Sequence, residues 1–162
     1  MTPFIAIDPG TTHSAWVVYD GQIVLDHGKS ENTDMRDMLA FVGDPGLLNT
    51  LVLERVESMG MAVGKEVFET VFWSGRFAEV WSTVVQGTFE RIARRDVKLH
   101  LCGSSRAKDA NVRQAILDRF GGAEAVGTKK KPGPLYGIKT DRWAALAVAI
   151  TWAETHGERK AA

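Results

Sequence analysis

The fold is decided near the start of the chain by Pro3-Phe-Ile-Ala-Ile-Asp8-Pro-Gly10, an apolar run that ends in a carboxylate and a turn. Residues 3–8 are predicted to form a buried strand, and residues 14–19 a second strand. Asp20-Gly21 is a two-residue hairpin signal, so residues 22–27 are expected to return as a third strand. Three strands in a meander at this end of the chain predict a mixed sheet.

Outward from this meander, apolar periodicity predicts the remaining elements. These are a helix at 33–42, a strand at 50–54, a long helix from about 64 to 86, a helix at 109–120 and a final helix at about 141–156. Residues 88–101 are ambiguous. Alternate positions from Val97 to Leu101 are apolar as in a strand, whereas the spacing from Phe89 to Ala93 permits a helical turn.

The aromatic side chains of the long helix are expected to lie in the core, because large apolar side chains are usually buried. They are Phe68, Phe72, Trp73, Phe77 and Trp81. The chain contains no internal repeat and no convincing linker. We therefore predict one α/β domain over residues 1–162, with a mixed sheet and helices on both of its faces.

Composition is that of an ordinary globular protein, with 44% hydrophobic and 25% charged residues in 162. No apolar stretch approaches the roughly 20 residues that span a bilayer, and the N-terminus lacks the pattern of a secretory signal. Cys102 is the single cysteine, which excludes an internal disulfide and a cysteine-rich zinc site. A cytoplasmic location without a membrane partner is expected.

Charge is unevenly distributed along the chain, although the net charge is zero. Residues 1–60 hold 3 Lys or Arg and 9 Asp or Glu, whereas residues 61–162 hold 17 and 11. An acidic half joined to a basic half fits a carboxylate site beside a surface that binds a polyanion. A chance partition over one mixed surface explains the counts equally well.

Three carboxylates occupy similar positions at the ends of predicted elements. Asp8 ends the first strand, Glu54 ends the strand after the meander, and Asp141 starts the last helix. Carboxylates in such positions can converge at one edge of a sheet. A carboxylate cluster suits a hard cation, Mg²⁺ or Mn²⁺, and two such ions about 4 Å apart can catalyse phosphodiester hydrolysis.

Each carboxylate also has a purely structural interpretation. Asp8 before Pro-Gly could be a turn residue, and Glu54 could be an exposed strand end. Asp141 could cap the last helix. Their order along a β-β-β-α-β-α framework favours the joint functional interpretation.

Four segments resemble the RuvC family of Holliday-junction resolvases. They are Phe4-Ile-Ala-Ile-Asp8-Pro-Gly10, Leu51-Val-Leu-Glu54-Arg-Val56, Gly103-Ser-Ser-Arg-Ala-Lys108-Asp-Ala-Asn-Val112 and Asp141-Arg-Trp-Ala-Ala-Leu-Ala-Val-Ala-Ile-Thr151. The resemblance implies an RNase H-like fold and a Mg²⁺-dependent endonuclease, with Mn²⁺ as a substitute and two ions per site. It also implies a homodimer on four-way DNA junctions, with Asp8, Glu54 and Asp141 as catalytic and metal ligands. Small size and variant motifs resemble the phage-encoded branch.

The resemblance fails at one position of the last helix. The family places a second acidic residue one turn after the first, where this chain has Ala144. The site is therefore expected to use three carboxylates or to recruit another. Glu57 is the candidate, although it could equally be a surface residue.

Basic residues that could contact DNA form two groups in the sequence. Arg106, Lys108 and Arg113 lie around the start of one helix, and Lys129, Lys130 and Lys131 lie in the loop before the last helix. The resemblance implies that residues near Lys108 hold the cut strand, and lysines near Asp141 are expected to neutralise phosphates. A solvated loop is the alternative for the lysine run.

These features predict a resolvase that cuts paired strands of a Holliday junction in the cytoplasm of a bacterial or phage-infected cell. Two alternatives stay open within the same fold. One is a broader nuclease for forks and flaps, and the other is an inactive protein that binds branched DNA. An actin-like ATPase or sugar kinase is disfavoured, because the chain has no second phosphate-binding loop.

Overall fold

Five strands form one mixed sheet in the computed structural model, which describes residues 1–42, 48–58, 60 and 62–161. The strands are β1 Phe4–Asp8, β2 His13–Tyr19, β3 Val24–Glu31, β4 Thr50–Arg55 and β5 Thr88–Ala93. The α-helices are α1 Asn32–Val42, α2 Lys65–Val80, α3 Arg94–Cys102, α4 Asp109–Arg119 and α5 Arg142–Ala161. A π-helical turn at Trp81–Val85 extends α2, and a short 3₁₀ turn at Ala123–Ala125 follows α4.

The strand order is β3-β2-β1-β4-β5, which confirms the predicted mixed sheet. β2 pairs antiparallel with both β1 and β3, as expected of the meander, although the third strand runs to Glu31 rather than ending at 27. β4 pairs parallel with both β1 and β5. The carboxyl ends of β1, β4 and β5 therefore meet at one edge of the sheet.

Helices cover both faces of the sheet, as predicted. Alternate residues of β1 supply the two cores, since side chains alternate across a strand. Phe4 and Ala6 pack with α3, α4 and α5, whereas Ile5 and Ile7 pack with α1 and α2. α5 has 20 residues, but no helix among the described residues is long and apolar enough to cross a membrane.

The ambiguous stretch 88–101 divides into a strand followed by a helix. Thr88–Ala93 pairs with β4, although its spacing permitted a helical turn. The strand-like alternation of the residues after it is wrong as a guide, because Arg94–Cys102 is helical. Val97 and Leu101, four residues apart, share the buried face of α3, whereas Leu99 between them is exposed.

The core prediction for the aromatic residues of α2 is correct only near the C-terminal end of the helix. Phe77 and Trp81 are fully buried against the sheet. Phe68 and Phe72 are 65% and 56% exposed, because helical spacing places them on the side of α2 opposite the buried Phe77. Arg76 lies over the ring of Phe72 at 5.6 Å. The described chain thus leaves an apolar patch on the outside of α2.

The edge strand β3 is packed closely where Gly28 faces Trp16 of β2. A Cβ at Gly28 would lie 2.6 Å from Cζ2 of Trp16, so the indole would have to move. We expect Gly28→Ala to lower the free energy of unfolding by about 1–3 kcal/mol in urea denaturation. Gly75→Ala in α2 is the control, because its added Cβ meets no atom within 4 Å. The free energy of unfolding of Gly75→Ala should rise by about 0.5–1 kcal/mol. Equal changes in the free energy of unfolding for Gly28→Ala and Gly75→Ala would contradict this packing.

Candidate active site

Asp8, Glu54 and Asp141 line one cavity of about 290 Å³ at the edge where the parallel strands end. Asp8 is the last residue of β1, Glu54 lies near the end of β4, and Asp141 immediately precedes α5. The sheet topology accounts for the first two positions, because β1 and β4 are parallel neighbours. The structure thus brings together the three carboxylates that the sequence singles out.

A buried hydrogen-bond network fixes the turn after Asp8. The Gly10 N–H donates to Ser14 Oγ at 3.2 Å, and Ser14 Oγ donates to Asn32 Oδ1 at 2.7 Å. Asn32 Nδ2 donates to the Gly10 carbonyl at 2.9 Å and closes the ring. Ser14 and Asn32 are almost fully buried, and a Cβ at Gly10 would lie 2.2 Å from the His13 carbonyl oxygen. Only glycine therefore fits this position.

Asp141 is presented to the cavity by a strained turn. Thr140 has a φ of 47°, which is rare for a β-branched residue. The main-chain carbonyl of Asp141 accepts the N–H groups of Ala144 and Ala145 at 3.0 and 3.2 Å. The carboxylate itself pairs with the Lys29 ammonium of β3. Asp141 thus starts the helix through its backbone while its side chain faces the cavity.

The two strand carboxylates are buried close together, which opposes ionisation of both. Burial and then the charge of Glu54 raise the pKa of Asp8 from 3.8 to about 7. Burial likewise raises the pKa of Glu54, although Arg94 opposes this effect. Arg94 Nη1 donates to Glu54 Oε1 at 3.1 Å, and the side chain of Glu54 is only 11% exposed. The cavity therefore favours occupation by positive charge.

Cationic side chains already meet two of the three carboxylates, and the sequence does not single them out. Arg94 bridges Glu54 and Asp109, with its second contact at 3.0 Å, and Lys98 lies 3.5 Å from Asp109. Against the effect of burial, these cations lower the pKa of Asp109. Arg94 directly follows β5, and a charged residue at a strand end is a signal for a site. The sequence does not show where β5 ends, because residues 88–101 are ambiguous. The sequence does not place Lys29 near the carboxylates, because it predicts that the third strand ends at residue 27, whereas β3 runs to Glu31.

The donor set suits a hard divalent cation, because it consists of carboxylate oxygens. Asp8 makes no ion pair within the described part of the chain, so its buried charge lacks a direct partner. In the same part of the chain, no three His, Cys, Asp or Glu side chains are close enough to share an ion as they lie. Glu54 is paired with Arg94, and Asp141 is paired with Lys29. Residue chemistry thus fits a metal, with two protein cations as competitors.

Glu57 does not join the three carboxylates. It accepts a hydrogen bond from Arg55 at 2.5 Å and lies on a neighbouring cavity. Ala144 does line the carboxylate cavity and contributes a methyl group there. Position 144 therefore adds no acidic side chain to the cavity. Among the described residues, the fourth carboxylate of its wall is Asp109, which is paired with Arg94 and Lys98.

The predicted DNA-binding residues lie at varied distances from the cavity. Arg113 stacks over the ring of Trp143 at 5.0 Å, and Trp143 lines the cavity. Arg106 and Lys108 are exposed around the start of α4. Lys129, Lys130 and Lys131 are exposed on a turn closed by hydrogen bonds between Thr128 and Lys131. Contact of these residues with DNA stays a prediction.

The raised pKa of Asp8 predicts how stability depends on pH. The unfolded chain loses this proton near pH 3.8 and the folded protein near pH 7, so the free energy of unfolding falls as pH rises through that window. Asp8→Asn removes the charge and keeps the shape. We expect this variant to exceed the wild type by on the order of 3 kcal/mol above pH 7 and by little at pH 4.

Urea denaturation across this pH range checks the expectation. Asp34→Asn, in the exposed first turn of α1, is the matched control because it removes a carboxylate outside the cavity. It should show no such gain. If the free energies of unfolding of Asp8→Asn and the wild type differ by a constant amount from pH 4 to pH 8, the raised pKa of Asp8 is ruled out.

No protein-family model and no curated protein sequence matches this chain. Solved structures do match it. The chain is similar to a Thermus thermophilus RuvC structure, with a TM-score of 0.69, 16% identity and 96% of each chain covered. It is also similar to T. thermophilus RuvC in complex with Holliday junction substrate, with a TM-score of 0.70, 18% identity and coverage of 96% of this chain and 95% of that one. This chain therefore has the RuvC-like form of the RNase H-like α/β fold.

Proposed function

We propose that this protein is a metal-dependent endodeoxyribonuclease that resolves Holliday junctions by paired phosphodiester hydrolysis. The observation that carries the proposal is the shared cavity of Asp8, Glu54 and Asp141 at the carboxyl edge of a RuvC-like sheet. One structural neighbour with this fold was solved with Holliday junction substrate. The proposed location is the cytoplasm of a bacterial or phage-infected cell.

Asp8, Glu54 and Asp141 would hold the divalent cations, Mg²⁺ or Mn²⁺. Bound ions would supply a water activated for in-line attack and charge stabilisation of the leaving 3′-oxygen, giving 5′-phosphate and 3′-hydroxyl ends. Before DNA binds, Arg94 and Lys29 hold Glu54 and Asp141 at the cavity and offset their repulsion with Asp8. Lys98 lines the same cavity and can neutralise an incoming phosphate.

The proposed assembly is a homodimer, because a four-way junction has two-fold symmetry and two strands must be cut. The exposed patch of Phe68 and Phe72 on α2 supports this proposal as a candidate contact face. Lys129, Lys130, Lys131 and Arg113 are proposed to bind the backbone without reading bases.

The test of the active site is Asp8→Asn assayed on a synthetic four-way junction with Mg²⁺ or Mn²⁺. Cutting should fall by roughly a thousandfold or more, since several kcal/mol of transition-state stabilisation go with the bound ions. Junction affinity should be retained. Added Mn²⁺ should raise the melting temperature of the wild type but not of Asp8→Asn. Asp34→Asn should match the wild type in all three measurements, and an Asp8→Asn enzyme that cuts at the normal rate would remove Asp8 from catalysis.

An inactive junction-binding protein is the second candidate, favoured by the pairing of Glu54 with Arg94 and of Asp141 with Lys29. Ala144 on the cavity wall points the same way. Binding by the wild type without cutting in either metal would select it. A broader nuclease would cut forks and flaps as fast as junctions, so the three substrates are compared side by side.

The lysine loop is tested by changing Lys129, Lys130 and Lys131 together to Ala. Each phosphate contact that is lost should lower the slope of log affinity against log salt by about one. Junction binding measured by fluorescence anisotropy across a KCl series gives that slope. Thr128→Ala is the control, because it removes the hydroxyl that accepts from Lys131 N–H without changing charge. An unchanged slope in the triple variant would place the loop outside the interface.

A further inference from the structure

A second cavity, of about 350 Å³, lies beside the carboxylate cavity and has the opposite charge. Its charged lining consists of Arg55, Arg94, Arg95 and Lys98 against Glu54 and Glu57. The basic side chains thus exceed the acidic ones by two. Glu54, Arg94 and Lys98 line both cavities, so the two spaces share a wall.

Arg55 and Arg95 share one acidic partner at this second cavity, and the other partner of Arg95 is exposed. Arg55 Nη2 donates to Glu57 at 2.5 Å, and Arg95 Nε lies 4.0 Å from the same carboxylate. Arg95 Nε also lies 3.3 Å from Asp96. The Arg95 side chain is 63% exposed, so that ion pair is weakly held. The Nε atom of Arg55 is buried and has no hydrogen-bond partner among the described residues. The Arg55 side chain as a whole is 39% exposed and lines the cavity, so its guanidinium can still donate to an anionic ligand.

The N-terminus of α3 adds to this attraction. The helix has nine residues and begins at Arg94, on the wall of the cavity. The preceding residue, Ala93, has extended backbone angles and no side-chain oxygen that could accept the first N–H groups. An uncapped helix N-terminus beside guanidinium groups is a favourable environment for a phosphate.

We propose that this arginine cavity binds the DNA backbone phosphate next to the one that is cut. The assignment rests on the proposed nuclease function. A phosphodiester matches the planar donors of Arg55 and Arg95. The two cavities share a wall, so consecutive phosphates of one strand would occupy one cavity each. The carboxylate cavity, with its negative lining, would take the scissile phosphate together with metal. The arginine cavity then holds the neighbouring nucleotide and sets the position of the strand.

Arg55→Gln combined with Arg95→Gln tests the proposal, because neither side chain lines the carboxylate cavity. Affinity for a labelled four-way junction is measured in Ca²⁺ across a KCl series, with gels to verify that the DNA is intact. We expect a loss of about tenfold and a salt slope smaller by about one. Arg36→Gln, on α1 across the sheet, is the matched control and should leave both unchanged. Arg95→Lys keeps the charge and should retain the slope.

A scan with single methylphosphonates identifies the phosphate. In the wild type, one neutral linkage beside the cut position should weaken binding, and the same linkage should cost the double glutamine variant nothing more. If the loss of affinity from the neutral linkage adds fully to the loss from the double glutamine change at every position, the proposal is overturned. The arginines would then form an internal ion-pair network. Cutting of unmodified junctions in Mg²⁺ or Mn²⁺ is scored separately. Binding with this coupling but without cutting would reject only the nuclease function, and a wild type that fails to bind junctions would reject both.

Discussion

The repulsion between buried carboxylates at the carboxyl edge of the sheet is the constraint on which the site depends. Parallel pairing of β1 and β4 brings Asp8 and Glu54 together, and the turn before α5 adds Asp141. Burying the first two is costly unless positive charge accompanies them, whereas the Asp141 side chain is half exposed. Arg94 and Lys29 supply part of that charge from the chain itself. Divalent ions would have to compete with these two side chains for the carboxylate oxygens.

The uneven charge along the sequence does not match the charge of the two cavities. The acidic N-terminal part of the chain supplies Lys29 and Arg55 to the site, and the basic remainder supplies Asp109 and Asp141. The relevant unit is therefore the pair of adjoining cavities, one lined mainly by carboxylates and one mainly by arginines. Because Arg94 belongs to both, a change there would alter the charge of each.

The sequence predicted the parts of the fold and site that depend on local pattern. Strand β1 and its terminal Asp8 follow from an apolar run and a turn, and the meander follows from a hairpin signal. The division of 88–101 did not, because Val97 and Leu101 suit either period until pairing with β4 decides where the strand ends. The ion pair between Lys29 and Asp141 joins residues far apart in the chain, so no local pattern could reveal it. Exposure of Phe72, in contrast, follows from its place on the side of α2 opposite Phe77, which helical spacing indicates.

The closed ring of Gly10, Ser14 and Asn32 ties the loop after Asp8 to the first turn of α1. Each member satisfies polar groups of the others away from solvent, so none can change alone without leaving a donor or acceptor stranded. Substitutions along this part of the chain are consequently interdependent. Variation that alters the start of α1 must preserve an amide at its first position or remodel the approach to Asp8 at the same time. Helix α1 thereby limits how freely the carboxyl edge of the sheet can diverge.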